Sequence, residues 1–171
     1  MADVAISPDG RLALASVQKG GYLAVLRLEN GHAEATGQKI SVYGQPYRCV
    51  ITPDGQLGLT AGQGWALNSL DRDAITVVDL TAKPIQAVQH ITIGAVPESI
   101  EISPNGRLLV AVVMNGSNLA PDHPSRTGQG TPAILSRPGK GLQTYRSITV
   151  GPTPERVPST TGTRARVRLT H

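Results

Sequence analysis

One short pattern recurs three times in this chain, and it narrows the folds open to it. Asp3–Leu14 reads DVAISPDGRLAL, Tyr47–Leu59 reads YRCVITPDGQLGL, and Pro97–Leu109 reads PESIEISPNGRLL. Each copy is an alternating apolar run, a Ser/Thr-Pro-Asp/Asn-Gly turn and a second apolar run. Alternation at period two marks a strand with one face buried. Proline presets φ, Asp or Asn tolerates the left-handed region, and glycine enters it at no steric cost, so the tetrapeptide reverses the chain tightly. Each copy therefore predicts a β-hairpin, and a hairpin that recurs predicts a repeat architecture.

The repeat is longer than its hairpin. The turn prolines Pro8, Pro53 and Pro104 stand 45 and 51 residues apart. Ahead of the hairpin, HITIGAVPESI at 90–100 matches SITVGPTPERV at 147–157, 57 positions on without a gap, and ISVYGQPYRCV at 40–50 keeps the same outline. Two more strands are predicted per unit: Tyr22–Leu28 with 34–42, Asp73–Leu80 with Ile85–Ile93, and Ala133–Leu135 with Leu142–Val150. Turn chemistry at Glu29–Gly31, Thr81–Pro84 and Arg137–Gly139 separates them. No segment shows helical periodicity, so no helix is predicted. Four antiparallel strands in roughly 40 to 50 residues is the period of a propeller blade. The reading is all-β, a β-propeller of four-stranded antiparallel blades, with about three and a half blades in the chain. The units fall at 1–43, 44–94 and 95–151, with a fourth opening at 152. Its expected turn is degraded to Ser159-Thr160-Thr161-Gly162, and 159–171 is a basic, degenerate segment.

Composition agrees with many short strands. The 171 residues include no Phe, one Trp, 19 Gly and 13 Pro, so the core must come from Val, Ile, Leu and Ala. The single cysteine, Cys49, excludes an internal disulfide framework and a cysteine-rich zinc site, and its place on an alternating strand predicts a buried apolar thiol. No apolar run reaches the roughly 18 residues of a membrane helix. Met1-Ala2-Asp3 leads straight into the first repeat with no signal peptide visible, so the expectation is a cytoplasmic product with no membrane contact. The net charge of +4 is uneven: residues 1–130 hold nine basic and eleven acidic side chains, residues 131–171 seven and one. A basic end can attract nucleic acid, but without interleaved aromatics, a zinc pattern or a recognition helix that partner is not expected.

The pattern Pro-x-x-x-x-x-Ser-Pro-Asp-Gly followed by an apolar strand, with Asp73–Leu80 and Met114-Asn115-Gly116-Ser117-Asn118, resembles the YVTN-type and lactonase-like β-propellers. That group includes the 6-phosphogluconolactonase-type lactonases. The likeness covers residues 2 to 118 well and 147–157 moderately, and it fails after Pro158. It implies the architecture far more strongly than any reaction, because propellers host many functions. Closed propellers have about four to eight blades, and an open arc would leave strand edges and blade faces in water. Self-association of two copies into a ring is the leading expectation. A truncated gene product, or a weakly marked strand set completing a smaller ring, stands beside it.

In such a blade the first strand is innermost, and the Ser-Pro-Asp-Gly turn lies on the face opposite its start. Asp9, Asp54 and Asn105 are therefore read as turn-formers. Tyr47, Glu98 and Glu155 are equivalent in the repeat, as are Arg48, Ser99 and Arg156, and both sets are placed at the channel mouth. Structural ion pairs between blades are the competing reading of these charges. Two long loops add Trp65, as an apolar wall, and the adjacent pair Asp122-His123, with His123 a candidate general base. Opening a lactone needs an activated water, a base for its proton and positive charge at the developing oxyanion. His123 or Glu98 could be the base, and Arg48 or Arg156 the cation, with Tyr47, Trp65 and Ser99 contacting a small lactone substrate. The resemblance also allows Ca2+, for which Asp122, Asn115, Asn118 and Asp73 are the candidate ligands, though no EF-hand spacing marks them. The leading functional expectation is a lactonase-like hydrolase of sugar or acyl-homoserine lactones; the alternative is a non-catalytic binding module.

Overall fold

The computed structural model describes residues 2–64, 72–124, 126–139 and 141–147, without side-chain detail for 144–147. Among these residues, twelve strands make three four-stranded antiparallel sheets. The first blade is β1 (Val4–Ile6), β2 (Leu12–Val17), β3 (Tyr22–Glu29) and β4 (His32–Ser41). The second is β5 (Gln45–Ile51), β6 (Leu57–Gln63), β7 (Asp73–Asp79) and β8 (Gln86–Gly94). The third is β9 (Pro97–Ile102), β10 (Leu108–Val113), β11 (Thr131–Ser136) and β12 (Gln143–Ser147). Within each sheet spatial order follows chain order, as in a propeller blade. The only helical element among the described residues is a three-residue 3-10 turn, Gln18–Gly20, and none of them forms a helix long and apolar enough to cross a membrane. The fourth unit expected from 152 lies outside the described residues.

The three turns share one hydrogen-bond network, which explains why the whole tetrapeptide repeats. In the first, Ser7 Oγ donates to Asp9 Oδ1 at 2.6 Å and accepts from Leu12 N at 2.9 Å, while Asp9 Oδ1 also accepts from Arg11 N at 3.1 Å. Gly10 N donates to Ser7 O at 2.9 Å, with Gly10 at φ 70°. Thr52–Asp54–Gly55 and Ser103–Asn105–Gly106 repeat these bonds partner for partner. The hydroxyl at the first position is thus as much a part of the turn as the Asp or Asn.

The core lies between blades. One cluster seats Leu14, Leu23 and Val25 of the first blade on Cys49 and Val78 of the second. The other packs Leu57, Leu59, Ile75 and Val77 against Ile100, Leu109, Val113 and Leu135 of the third. The middle blade is therefore covered on both faces, and β6 is buried at every position. Its glycines permit close approach of its own backbone at the corner before β5. A methyl group at Gly62 would collide with the backbone carbonyl of Tyr43, and one at Gly44 with that of Gln63. Polar clasps join the outer strands as well: Gln38 of β4 donates to Ile85 O, and Gln89 of β8 both donates to Leu142 O and accepts from Leu142 N, each at 3.0 Å. At the turn face, Arg137 of the third blade meets Asp54 of the second at 2.8 Å.

Two outcomes follow from this packing. Gly62→Ala must displace backbone at the corner before β5, so thermal unfolding should show a loss of about 1–3 kcal/mol while the strand signal persists. For Asp54, partial desolvation raises the carboxyl pKa, but bonds from Arg137 and Thr52 outweigh it and hold it at about 2, below the ordinary 3.8. A depressed carboxyl pKa stabilises the fold above its unfolded value and ceases to do so as pH falls through the folded one. The stability difference between the natural chain and Arg137→Ala should thus be constant above about pH 4 and narrow between about pH 4 and pH 2, as read by acid-dependent urea titrations.

Candidate functional site

The inner strands β1, β5 and β9 start on the face opposite the Ser/Thr-Pro-Asp/Asn-Gly turns, where the second strand of each blade ends and the third begins. Asp3, Arg48 and Ser99 hold the same place in the three repeats. In the structure the first two meet: Asp3 Oδ1 lies 3.5 Å from an Arg48 terminal nitrogen, and Asp3 Oδ2 accepts from Cys49 N at 3.0 Å. Arg48 keeps 44% of its side chain exposed, so the pair is a weak tie in water and the guanidinium stays reachable. Tyr47 is half-buried beside it.

The second-to-third blade junction is more closely built. Buried Gln63, the last residue of β6, donates Nε2 to Pro97 O at 3.2 Å and to Glu98 Oε1 at 3.5 Å. Glu98 is half-buried and Ser99 is buried. Immediately before them, Ala95–Val96 forms a corner gripped from two sides. Asp73 Oδ2 accepts from Val96 N at 2.8 Å and Asn115 Oδ1 from Ala95 N at 2.9 Å, while Met114 N and Asn115 N donate back to the carbonyls of Val96 and Ala95. Val96 sits at φ 55°, a costly left-handed conformation for a β-branched residue that persists only where surroundings impose it. Gly64 and Gly94 leave room for the two gripping side chains: a methyl group there would approach Asp73 Oδ1 to 2.9 Å and Asn115 Oδ1 to 2.6 Å.

The loop that follows Asn115 turns on its own backbone, with His123 N donating to Ala120 O and Arg126 N to His123 O, each at 3.0 Å. Thr127 Oγ1 ties it back to Asn115 O at 2.7 Å. His123 is half-buried on this loop, whereas Asn118 and Asp122 are exposed. The structure thus brings Glu98, Ser99, Asp73 and Asn115 to one corner, sets Tyr47 and Arg48 at the matching point one blade earlier, and carries Asp122, His123 and Asn118 out on the loop. Trp65 and Arg156 lie outside the described residues.

The four residues read as calcium ligands do not fit one ion. Asp73 and Asn115 each spend an oxygen on the strand corner, Asp122 and Asn118 are exposed on the loop, and no group of three or more His, Cys, Asp or Glu converges among the described residues. Cys49 is buried, as expected; desolvation, opposed by a bond from Ser16, pushes its thiol up to about 11, far from a nucleophile's range. Asp3, Gln63 and Val96 were not singled out by the sequence. Asp3 shares the repeat position of Arg48 and Ser99, a signal that could have found it; the reach of Gln63 and the left-handed Val96 carry no local signature.

No protein-family model matches the sequence, and no curated protein does. Solved structures do resemble the fold. A candidate 6-phosphogluconolactonase of Bacteroides uniformis superposes with a TM-score of 0.69 at 18% identity, over 86% of this chain and 40% of that one. The periplasmic gluconolactonase PpgL of Pseudomonas aeruginosa gives 0.65 at 18%, over 90% and 41%. Hydrazine synthase of Kuenenia stuttgartiensis gives 0.65 at 19%, over 87% and 37%. At such identities the likeness shows the fold alone, and proteins named for unrelated reactions share it. The chain spans about two-fifths of the length of each of these proteins. In fold it is part of a β-propeller, with three four-stranded antiparallel blades among the described residues.

Proposed function

We propose that this chain belongs to a lactonase-like hydrolase that opens a cyclic ester, with Glu98 as general base and Arg48 as the cation that receives the carbonyl oxygen or an anionic substituent. The observation that carries this reading is the pairing of two features at the starts of adjacent inner strands. One is a half-buried carboxylate steadied by the Gln63 amide, and the other is a guanidinium left 44% exposed. Water would attack the acyl carbon while Glu98 takes its proton. The oxyanion that forms would lie toward Arg48, the ring C–O bond would break, and the proton would pass to the departing alkoxide, leaving a hydroxy acid. Ser99 and Tyr47 flank these groups and would orient the substrate. The resemblance in fold to proteins named as gluconolactonases supports the substrate class.

A second reading has its own support. Asp73 and Gln63 bond the second blade to the third, and Asn115 holds the corner between them, which suits a binding module that performs no chemistry. Lactone-opening assays with a sugar lactone and an acyl-homoserine lactone separate the two. Glu98→Gln should lower turnover by about 10²–10⁴-fold, and Arg48→Ala should lower kcat and kcat/KM together by about 10²–10³-fold. His123→Ala and added chelator should leave the rate within a few-fold. Turnover that survives both Glu98→Gln and Arg48→Ala removes the proposed site, and no turnover in the natural chain favours the binding module.

A further inference from the structure

On the turn face, the two blade junctions differ at one side chain. Where the second blade meets the third, Arg137 reaches back to the second blade's turn. Its terminal nitrogen lies 2.8 Å from Asp54 Oδ2, its Nε donates to Gly139 O at 2.9 Å, and its side chain is 11% exposed. The guanidinium lies over Gly106, a buried glycine at which a methyl group would come within 3.4 Å of both Arg137 and Pro53. The backbone N–H of Arg137 donates to Arg107 O, and in the second blade the same bond, to Gln56 O, is made by Leu80. Leu80 therefore stands at the first-to-second junction where the arginine stands at the next. Gly55 keeps the matching proline contact there, since a methyl group would lie 3.6 Å from Pro8, but nothing else comes within 4 Å and the glycine is only half-buried. What remains between the two turns is a pocket of about 280 Å³, walled by Pro8, Leu12, Pro53 and Leu80 and bordered by Asp9. Asp9 holds the repeat position of Asp54. Its Oδ1 is spent within the turn, on Ser7 and Arg11 N, just as Asp54 Oδ1 is on Thr52 and Gln56 N. Its Oδ2, the counterpart of the oxygen that meets Arg137, has no hydrogen bond or ion pair with any described residue.

We propose that this pocket seats an arginine side chain of a partner protein, its guanidinium on Asp9 and its aliphatic stem against Leu80 and the two prolines. The occupant is read from the neighbouring junction, where the same turn already holds a guanidinium that enters over glycine and proline. None of the described residues lining the pocket is basic, so the charge of Asp9 is answered from outside. A carboxylate selects a cation, and the weakly hydrated guanidinium of arginine suits apolar walls better than the ammonium of lysine. Pro8, Asp9 and Pro53 are exposed, so a side chain carried on another polypeptide can reach them. The seat lies on the face opposite Glu98 and Arg48 and is independent of the chemistry proposed for them.

The test is a titration of the isotope-labelled chain with Nα-acetyl-arginine methylamide, followed by amide NMR. Saturable shifts are expected at Asp9, Gly10, Gly55 and Leu80, and none at Glu98 or Ser99. Asp9→Asn should weaken binding at least about tenfold. The turn should survive that change, because Asn105 makes the same bonds in the third repeat. Leu80→Arg should fill the pocket from within, as Arg137 fills its own, and abolish the shifts. The uncharged citrulline analogue should not bind, and Nα-acetyl-lysine methylamide should bind several-fold more weakly. The absence of saturable shifts in the natural chain overturns the proposal. So does binding that Asp9→Asn leaves intact, or a lysine compound that binds as well as the arginine one. Free arginine binding more tightly than the capped form would mark a small-molecule site and overturn it too. Shifts at these amides on diluting the natural chain alone would give the seat to a second copy and overturn a separate partner.

Discussion

Aliphatic faces pressed together between sheets are what this molecule stands on. A single four-stranded blade of Val, Ile, Leu and Ala has no second layer to cover it, and burial of apolar surface is the main favourable term in folding. Stacking supplies the second layer: Leu14, Leu23 and Val25 cover Cys49 and Val78, and Leu59, Ile75 and Val77 cover Ile100 and Leu109. A chain without phenylalanine can do this because blade-to-blade packing favours close approach over bulk. Gly58 shows the limit, since a methyl group there would run into the Leu14 side chain across the junction. The side-chain bonds between blades, from Gln38, Gln89, Asp73 and Arg137, fix how the layers sit on one another more than they hold them together.

The candidate site grows out of the same arrangement. Inner strands that start at one level bring equivalent repeat positions side by side, and repetition with variation turns those positions into Asp3, Arg48 and Ser99. The scaffold thus sets neighbourhood and the individual residue sets chemistry. The left-handed Val96 shows how firmly the neighbourhood is held, because the Asp73 carboxylate and the Asn115 amide keep a β-branched residue where it would not rest unaided. Glu98 follows two residues later and inherits that definition.

Much of the fold could be read from the sequence because its signals are local. Alternation predicted Tyr22–Leu28 and Asp73–Leu80, which form β3 (Tyr22–Glu29) and β7 (Asp73–Asp79). The turn tetrapeptides predicted the hairpins because their bonds run within a few residues, as Ser7, Asp9 and Leu12 illustrate. The site was less legible. That Arg48 touches Asp3 depends on two blades meeting, and that Gln63 reaches Pro97 and Glu98 depends on the end of one sheet facing the start of the next. Neither is written in any short window. The structural roles of Asp73 and Asn115 were hidden for a related reason: each accepts from a backbone amide 20 or more residues away, a partner that no local window shows.

Cys49 gives the stack an internal gauge. Its thiol lies under the first blade, donating to Leu14 O across the junction, and burial suppresses its thiolate. Alkylating reagents can meet it only when the first blade lifts from the second. The labelling rate therefore counts partial openings of that junction rather than global unfolding, and would report separately on how tightly these two layers are held.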